Sequence, residues 1–236
     1  MCILFLDCAW HHRRWIIDRF DVDCQHELAL CREFLRQDQR NFHCWNYRRF
    51  VVEAFGVKAE DELQFSADKI VENFSNYSAF HHRSLFLKRA GRVVRDSLKD
   101  ELQIVENAIF TEPDDQSAWW YHQFLLRWAA EGLEMKRQEE GPNAAADAAQ
   151  FAEWFVGILQ QQLELVRGLF ELEENCTWVI TCLLNVIDAL LAPALASHVA
   201  REEAAALLAE RTTLLERLLE VDPNHSQRYR YLLLQS

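Results

Sequence analysis

The fold is decided by residues 40–50, RNFHCWNYRRF, because three other segments align with this stretch on an aromatic residue. The aligned segments are 8–14, 73–84 and 115–122. The anchor residues, Trp10, Trp45, Phe80 and Trp119, are separated by 35, 35 and 39 residues. Self-similarity at a nearly fixed period of this length is typical of repeat proteins, in which each repeat is one supersecondary structure.

A second signal precedes three of the anchors at the same period. It is a Glu-Leu pair, and the pairs begin at Glu27, Glu62 and Glu101. Two signals that share one period predict two structural elements in each repeat. Leu28, Cys31 and Leu35 recur at three- and four-residue spacing, which places them on one face of a helix. We therefore predict helical hairpins that stack as an α-solenoid.

The composition agrees with an all-helical chain. Only 6 glycines and 4 prolines occur in 236 residues, too few for the turns of a many-stranded sandwich or barrel. The net charge of −12 repels a phosphate backbone, which excludes nonspecific nucleic-acid binding as the function. No apolar run reaches the roughly eighteen residues that a membrane-spanning helix needs. Seven cysteines without a CxxC pair favour buried free thiols in the cytoplasm.

The later part of the chain follows the pattern less regularly. Further anchors are predicted near Trp178 and Tyr229. Residues 131–150 are polar, rich in alanine and contain two glycines and a proline, so they are predicted to form an inserted loop. The predicted fold class is all-α, an α-solenoid of helical hairpins, with residues 1–236 forming a single helical-repeat domain.

The anchors are predicted core residues, because an aromatic side chain at fixed repeat spacing fills the gap between paired helices. In the first three segments an arginine follows three residues after the anchor, on the same helix face. Besides the anchors, the residues predicted to be structural or to lie at a subunit interface are Arg13, Arg48, Arg83 and His122. With Arg14 and Arg49, the arginines form a recurrent cationic stripe suited to carboxylates or to a diphosphate.

The pattern Asn-aromatic-x-x-Trp-x-x-Arg resembles the α-subunit repeat of protein prenyltransferases. Tetratricopeptide repeats have a similar period, but the Leu-Gly pair of their first helix has no counterpart at that spacing here. The resemblance covers residues 8–128 closely and residues 160–232 loosely. Within the family, these segments look most like the α subunits of Rab geranylgeranyltransferases.

The resemblance implies that the chain is one half of a heterodimeric transferase. In this family the α subunit is a right-handed superhelix of helical hairpins and wraps around a β subunit, which holds zinc and the geranylgeranyl diphosphate. The pair transfers geranylgeranyl to cysteines near the C-terminus of Rab GTPases, which an escort protein presents. By this resemblance the chain itself binds no metal or cofactor, carries no catalytic residue and is inactive alone.

Two other functions remain open from the sequence. One is the α subunit that farnesyltransferase and type I geranylgeranyltransferase share. The other is an adaptor built from the same repeats that has no enzymatic partner. A co-expressed β subunit would distinguish them, because the adaptor binds none and only the shared α subunit supports modification of a free CaaX peptide.

The resemblance also indicates residues near the substrate. In the family, a lysine five residues before the tryptophan of the Trp-His-His-Arg repeat reaches the diphosphate, and here that position is Phe5. The first repeat also lacks its leading helix, so the chain is expected to be N-terminally incomplete. In the next repeat the equivalent position is basic. The residues predicted near the diphosphate or the substrate are Arg40, Asn41, Phe42, Asn76 and Tyr77.

Overall fold

The structure is a computed structural model that describes residues 7–234, and within that range it contains α-helices and one short 3₁₀ turn but no strand. The helices are α1 (Asp7–Ile17), α2 (Cys24–Gln37), α3 (Phe42–Phe55), α4 (Ala59–Glu72), α5 (Tyr77–Arg89), α6 (Val94–Thr111), α7 (Gln116–Gln138), α8 (Ala144–Phe170), α9 (Thr177–Leu190), α10 (Arg201–Val221) and α11 (Ser226–Leu233). The all-α fold of helical hairpins predicted from the sequence is confirmed. None of the described helices is both long enough and apolar enough to cross a bilayer.

The second helix of each regular repeat begins with the same kind of cap. The side chains of Asn41, Asn76 and Asp115 accept hydrogen bonds from backbone N–H groups in the first turns of α3, α5 and α7. Such a cap satisfies a donor that the helix itself leaves unpaired. The anchor aromatic follows each cap by four residues. The cap therefore determines which residue of the second helix enters the core.

The described residues form two compact units, the first ending at Val93 and the second beginning at Val94. In the first unit, α2 pairs with α3 and α4 pairs with α5, while α3 also packs against α1 and α5. The anchors Trp10, Trp45 and Phe80 are buried in this unit. Burial of each large aromatic side chain contributes roughly 1.5–3 kcal/mol relative to an exposed side chain. The hairpins therefore bury their inner faces against one another.

The second unit contains the hairpins α6–α7, α8–α9 and α10–α11, with α7 against α8 and α9, and α10 against α9. Its anchors Trp119 and Tyr229 are buried. The anchor predicted near Trp178 was misplaced, because this side chain is 38% exposed. The buried residue at the anchor position is Ile180, four residues after the helix-capping position Cys176.

The inserted loop predicted at residues 131–150 was also wrong. The structure continues α7 to Gln138 and begins α8 at Ala144, so only residues 139–143 lie outside a helix. The physical reason is that alanine has the highest helix propensity of all residues. Gly132 lies within α7, where an added Cβ would come within 3.2 Å of the Phe151 and Val94 side chains. This glycine therefore allows a close approach of helices rather than a turn.

Candidate functional site

A buried glutamate joins three helices in the first compact unit. Glu27 of α2 accepts hydrogen bonds from the Arg13 guanidinium of α1, with the Nη2–Oε1 distance 2.7 Å. It also accepts one from the Tyr47 hydroxyl of α3 at 2.6 Å. Glu27 is buried whereas Arg13 is about one-third exposed. The carboxylate therefore links one hairpin to the helix that precedes it.

The same arrangement recurs one repeat later and is completely buried. Glu62 of α4 accepts hydrogen bonds from Nε and Nη2 of Arg48 at 2.7 and 2.6 Å. Nε2 of His82 on α5 lies 2.8 Å from Oε2 of Glu62, the oxygen that also accepts the hydrogen bond from Arg48 Nε. Arg48 also lies over the ring of Phe65, with 3.5 Å between Cζ and the ring centroid. Charged groups buried in this way require paired hydrogen bonds, because each has lost its contact with water.

A third glutamate at the same repeat position lies in the second compact unit. Glu101 of α6 accepts a hydrogen bond from the Tyr121 hydroxyl of α7 at 2.7 Å. His122, at the position of the repeat arginines, has its Nε2 2.9 Å from the Gln162 side-chain oxygen of α8. Its other ring nitrogen lies 3.5 Å from the Cys182 sulfur of α9. Glu101 and His122 therefore connect α7 with α6, α8 and α9.

One recurrent position of these networks was not predicted from the sequence. Tyr47, His82 and Tyr121 each follow the anchor by two residues, and each lies 20 residues after the glutamate that it contacts. The Glu-Leu pairs marked the repeat, but their carboxylates were not recognised as acceptors. The signal that could have identified the missed position is a polar aromatic residue at the same offset in three repeats.

The electrostatics hold the buried acid and the buried histidine in definite protonation states. Burial favours the protonated acid, but hydrogen bonds from His82 and Arg48 outweigh it and lower the pKa of Glu62. Burial lowers the pKa of His82 to about 4, although the neighbouring Glu62 opposes this shift. Burial also lowers the pKa of His122. Near neutral pH the Glu62 site therefore contains an ionised glutamate, a guanidinium and a neutral histidine.

The residues predicted near the substrate lie at the start of α3 and of α5. Arg40 is exposed, and its guanidinium donates a hydrogen bond to the carbonyl oxygen of Ser75 in the next repeat. Phe42 and Tyr77 follow the two caps and are 66% and 40% exposed. The two loops are connected further by a hydrogen bond of 2.8 Å from Asn73 to the side chain of Gln39. The structure thus brings these residues to one edge of the first compact unit.

Asn41 and Asn76 differ from their neighbours because both are buried. Asn41 caps α3, and Asn76 caps α5 and donates a hydrogen bond of 3.3 Å to the Gln39 carbonyl oxygen. These contacts place both side chains inside the loops that connect the helices. Their proximity to a substrate stays a prediction. Phe5, at the position of the family lysine, lies outside the described residues.

Replacing Asn76 with alanine is expected to lower the free energy of unfolding by about 1–2 kcal/mol, because α5 loses its cap. Arg40→Ala, at the exposed edge of the same loops, is expected to change it by less than about 0.5 kcal/mol. Urea denaturation of both variants measures the difference. Equal losses for the two variants would contradict the capping role of Asn76.

Within residues 7–234, His, Cys, Asp and Glu side chains do not gather in any group of three that could hold a metal ion. The described cysteines are all free thiols. They are Cys8, Cys24, Cys31, Cys44, Cys176 and Cys182. Burial raises the pKa of the Cys182 thiol above its usual range. The described residues therefore do not fit a zinc site.

Comparison with known proteins identifies the repeats. The family model described as the protein prenyltransferase alpha subunit repeat matches residues 24–55, 59–90 and 98–129. These three segments contain the hairpins α2–α3 and α4–α5 and most of α6–α7. They also contain the Glu27, Glu62 and Glu101 contacts with the residues that follow the anchors.

The chain is similar to curated proteins named geranylgeranyl transferase type-2 subunit alpha. The Dictyostelium discoideum protein is 34% identical over 228 residues, which cover 94% of this chain and 63% of that protein. The human protein is 47% identical over 128 residues, which cover 50% of this chain and 23% of that protein. The chain thus spans less than two thirds of the length of these relatives.

Among solved structures, the chain is similar to Candida albicans protein geranylgeranyltransferase-I complexed with GGPP. The sequences are 17% identical, and the TM-score is 0.46. The similarity covers 98% of this chain and 79% of the chain in that structure.

Proposed function

Because the chain belongs to the family of protein prenyltransferase α subunits, we propose that it is the α subunit of a Rab geranylgeranyltransferase. In this role it holds a β subunit that carries zinc and binds the geranylgeranyl diphosphate. The heterodimer transfers the geranylgeranyl group to C-terminal cysteines of Rab GTPases that an escort protein presents. The proposed location of this reaction is the cytoplasm.

The observation that carries this proposal is the similarity to the Dictyostelium relative, which extends over 94% of the chain. That relative is named as the α subunit of a type-2 geranylgeranyl transferase. The buried contacts support a scaffolding role for this chain. Arg13 and Arg48 each form an ion pair with a carboxylate of the chain itself. These two arginines therefore stabilise the packing of the hairpins rather than bind a ligand.

The exposed residues at the start of α3 and α5 are where this chain is proposed to approach the substrate. Phe42 and Tyr77 are large and exposed at adjacent helix starts, and such aromatic side chains are enriched where proteins bind one another. Arg40 supplies a positive charge at the same edge. The proposed contribution of these residues is to position a diphosphate or a partner, with the reacting atoms held by the β subunit.

The test is co-expression of the chain with a β subunit from a type-2 geranylgeranyltransferase. We expect a stable one-to-one complex that transfers labelled geranylgeranyl from its diphosphate to Rab only when escort protein is present. Size-exclusion chromatography measures the complex, and incorporation of label into Rab measures the transfer. Each component omitted in turn is the control.

Two outcomes would replace the proposal with another function. Transfer to a free CaaX peptide by a complex with a farnesyltransferase or type I β subunit would identify the shared α subunit. Failure of the folded chain to bind any of these β subunits would identify an adaptor. Circular dichroism of the purified chain separates that failure from simple misfolding.

A further inference from the structure

A basic and aromatic surface in the first compact unit takes no part in the glutamate networks. We call it the arginine face and define it by Arg14 of α1, Arg49 and Phe50 of α3, and His81 and Arg89 of α5. The three helices are neighbours, because α3 packs against both α1 and α5. The face therefore extends across three successive repeats.

Asn46 of α3 holds two of the guanidinium groups together. Its backbone carbonyl oxygen accepts a hydrogen bond of 3.2 Å from Nη2 of Arg14. Its side-chain oxygen accepts a hydrogen bond from Nη2 of Arg49. Arg14 also lies over the Phe50 ring, with 5.1 Å between Cζ and the centroid. These contacts orient the two arginines without neutralising either of them.

The positive charge of the arginine face is not balanced locally. Within residues 7–234, neither Arg14, Arg49 nor Arg89 forms an ion pair with a carboxylate. Burial, followed by repulsion from Arg14 and Arg89, lowers the pKa of Arg49. Neighbouring like charges destabilise a folded protein, and this chain otherwise has a surplus of acidic residues. An anion that binds this cluster from outside the chain would neutralise the repulsion between the arginines.

Aromatic and apolar side chains border the charges. Tyr77, His81, Leu85 and Arg89 follow one another at four-residue spacing, so they share one face of α5. Tyr77 stacks on His81, with 6.1 Å between ring centroids, and Leu85 is 38% exposed. Exposed aromatic residues next to arginine are typical of the centres of protein–protein interfaces. The composition therefore favours a protein ligand over a small ion.

We propose that the arginine face binds an acidic segment of a partner protein whose carboxylates alternate with apolar side chains. Packed helices lie about 8–10 Å apart, so the three arginines extend over roughly 20 Å. An extended peptide covers that distance with about six residues. A free diphosphate is much shorter and could contact only part of the cluster. The inference concerns this surface alone and does not depend on which transferase the chain serves.

The experiment uses the full chain and a fluorescein-labelled peptide of about eight residues in which glutamate and leucine alternate. Fluorescence anisotropy measures its Kd for the wild type and for the triple variant Arg14→Gln, Arg49→Gln, Arg89→Gln. The control variant, Arg92→Gln, Arg127→Gln, Arg228→Gln, removes the same charge from exposed positions elsewhere. We expect the Kd to rise at least about tenfold in the first variant only, and to rise with salt in the wild type.

Several results would overturn this inference. They are a wild-type chain that does not bind the peptide, equal losses of affinity in the two triple variants, and displacement of the peptide by pyrophosphate at concentrations below the peptide Kd.

The single variant Arg89→Glu provides a second test, since Arg89 is exposed, and it is expected to weaken peptide binding without loss of fold. The melting temperature of Arg49→Gln should not fall, because its removal relieves repulsion. A clear fall would show that the cluster is structural.

Discussion

Replacing Arg48 with methionine is expected to lower the free energy of unfolding by about 3–5 kcal/mol, because Glu62 then stays buried without its cation. The two side chains are each only 1% exposed, so water cannot replace the lost hydrogen bonds. Burial, the largest influence on the pKa of His82, still opposes a positive charge on its ring in this variant. Urea denaturation at pH 7 measures the loss, and pull-down of the β subunit shows whether the heterodimer weakens with it.

Two further variants test the cause of this loss. Arg40→Met removes the same charge from an exposed position and is expected to change stability by less than about 0.5 kcal/mol. The double variant Arg48→Met, Glu62→Gln removes the isolated charge and keeps an acceptor for His82. It is expected to recover at least half of the loss, because an uncompensated buried charge costs more than a neutral polar group. A larger loss for Arg40→Met than for Arg48→Met would contradict this account.

The regular part of the fold could be predicted from the sequence because each repeat carries its own start signal. An asparagine or aspartate caps the second helix, and the aromatic anchor follows four residues later, so Trp45, Phe80 and Trp119 were placed correctly in the core. In α9 the cap position is Cys176, whose side chain forms no capping hydrogen bond. Without that signal the large aromatic residue Trp178 was predicted as the anchor, although Ile180 is the residue that lies in the core.

The networks were harder to predict because a single sequence does not reveal which polar side chains become buried. Arg48 and Arg49 are adjacent and chemically identical, yet one is buried against Glu62 and the other belongs to the arginine face. Their directions differ by about 100° around the helix. The predicted cationic stripe therefore divides in the structure into internal ion pairs, with Arg14 and Arg49 left outside them.

Acid is expected to destabilise the protein through the buried site formed by Glu62, Arg48 and His82. The folded-state pKa of His82 is about 4, below its ordinary value of 6.5. Between these values the unfolded chain binds more protons than the folded chain, so stability falls as the pH falls from 6.5 to 4. The shift corresponds to about 3 kcal/mol. The lowered pKa of Glu62 adds a loss of the same sign below its ordinary value of 4.5.

The geometry explains why protonation of His82 is so unfavourable. Because Glu62 is an acceptor, the single proton of the neutral ring lies on Nε2, 2.8 Å from the carboxylate. The other nitrogen, Nδ1, is buried without a hydrogen-bond partner among the described residues. The rings of Trp45 and Phe86 lie 4.9 and 4.6 Å from the His82 ring. A second proton would therefore place an unpaired donor and a charge between aromatic rings, beside the existing cation of Arg48.

His82→Gln separates this titration from other effects of acid, because glutamine can still donate to Glu62 but does not titrate. Urea denaturation between pH 7 and pH 4 is expected to show a loss of stability smaller by about 3 kcal/mol in this variant than in the wild type. His26→Gln, at an exposed position of α2, is the matched control. Parallel pH profiles for wild type and His82→Gln would mean that the buried ring is protonated as readily in the folded chain as in the unfolded one. Since Nδ1 has no acceptor among the described residues, a protonated His82 would need water as its hydrogen-bond partner. The Glu62 site of the folded chain would then be open to water, which contradicts the close hydrogen bonds between Glu62 and Arg48.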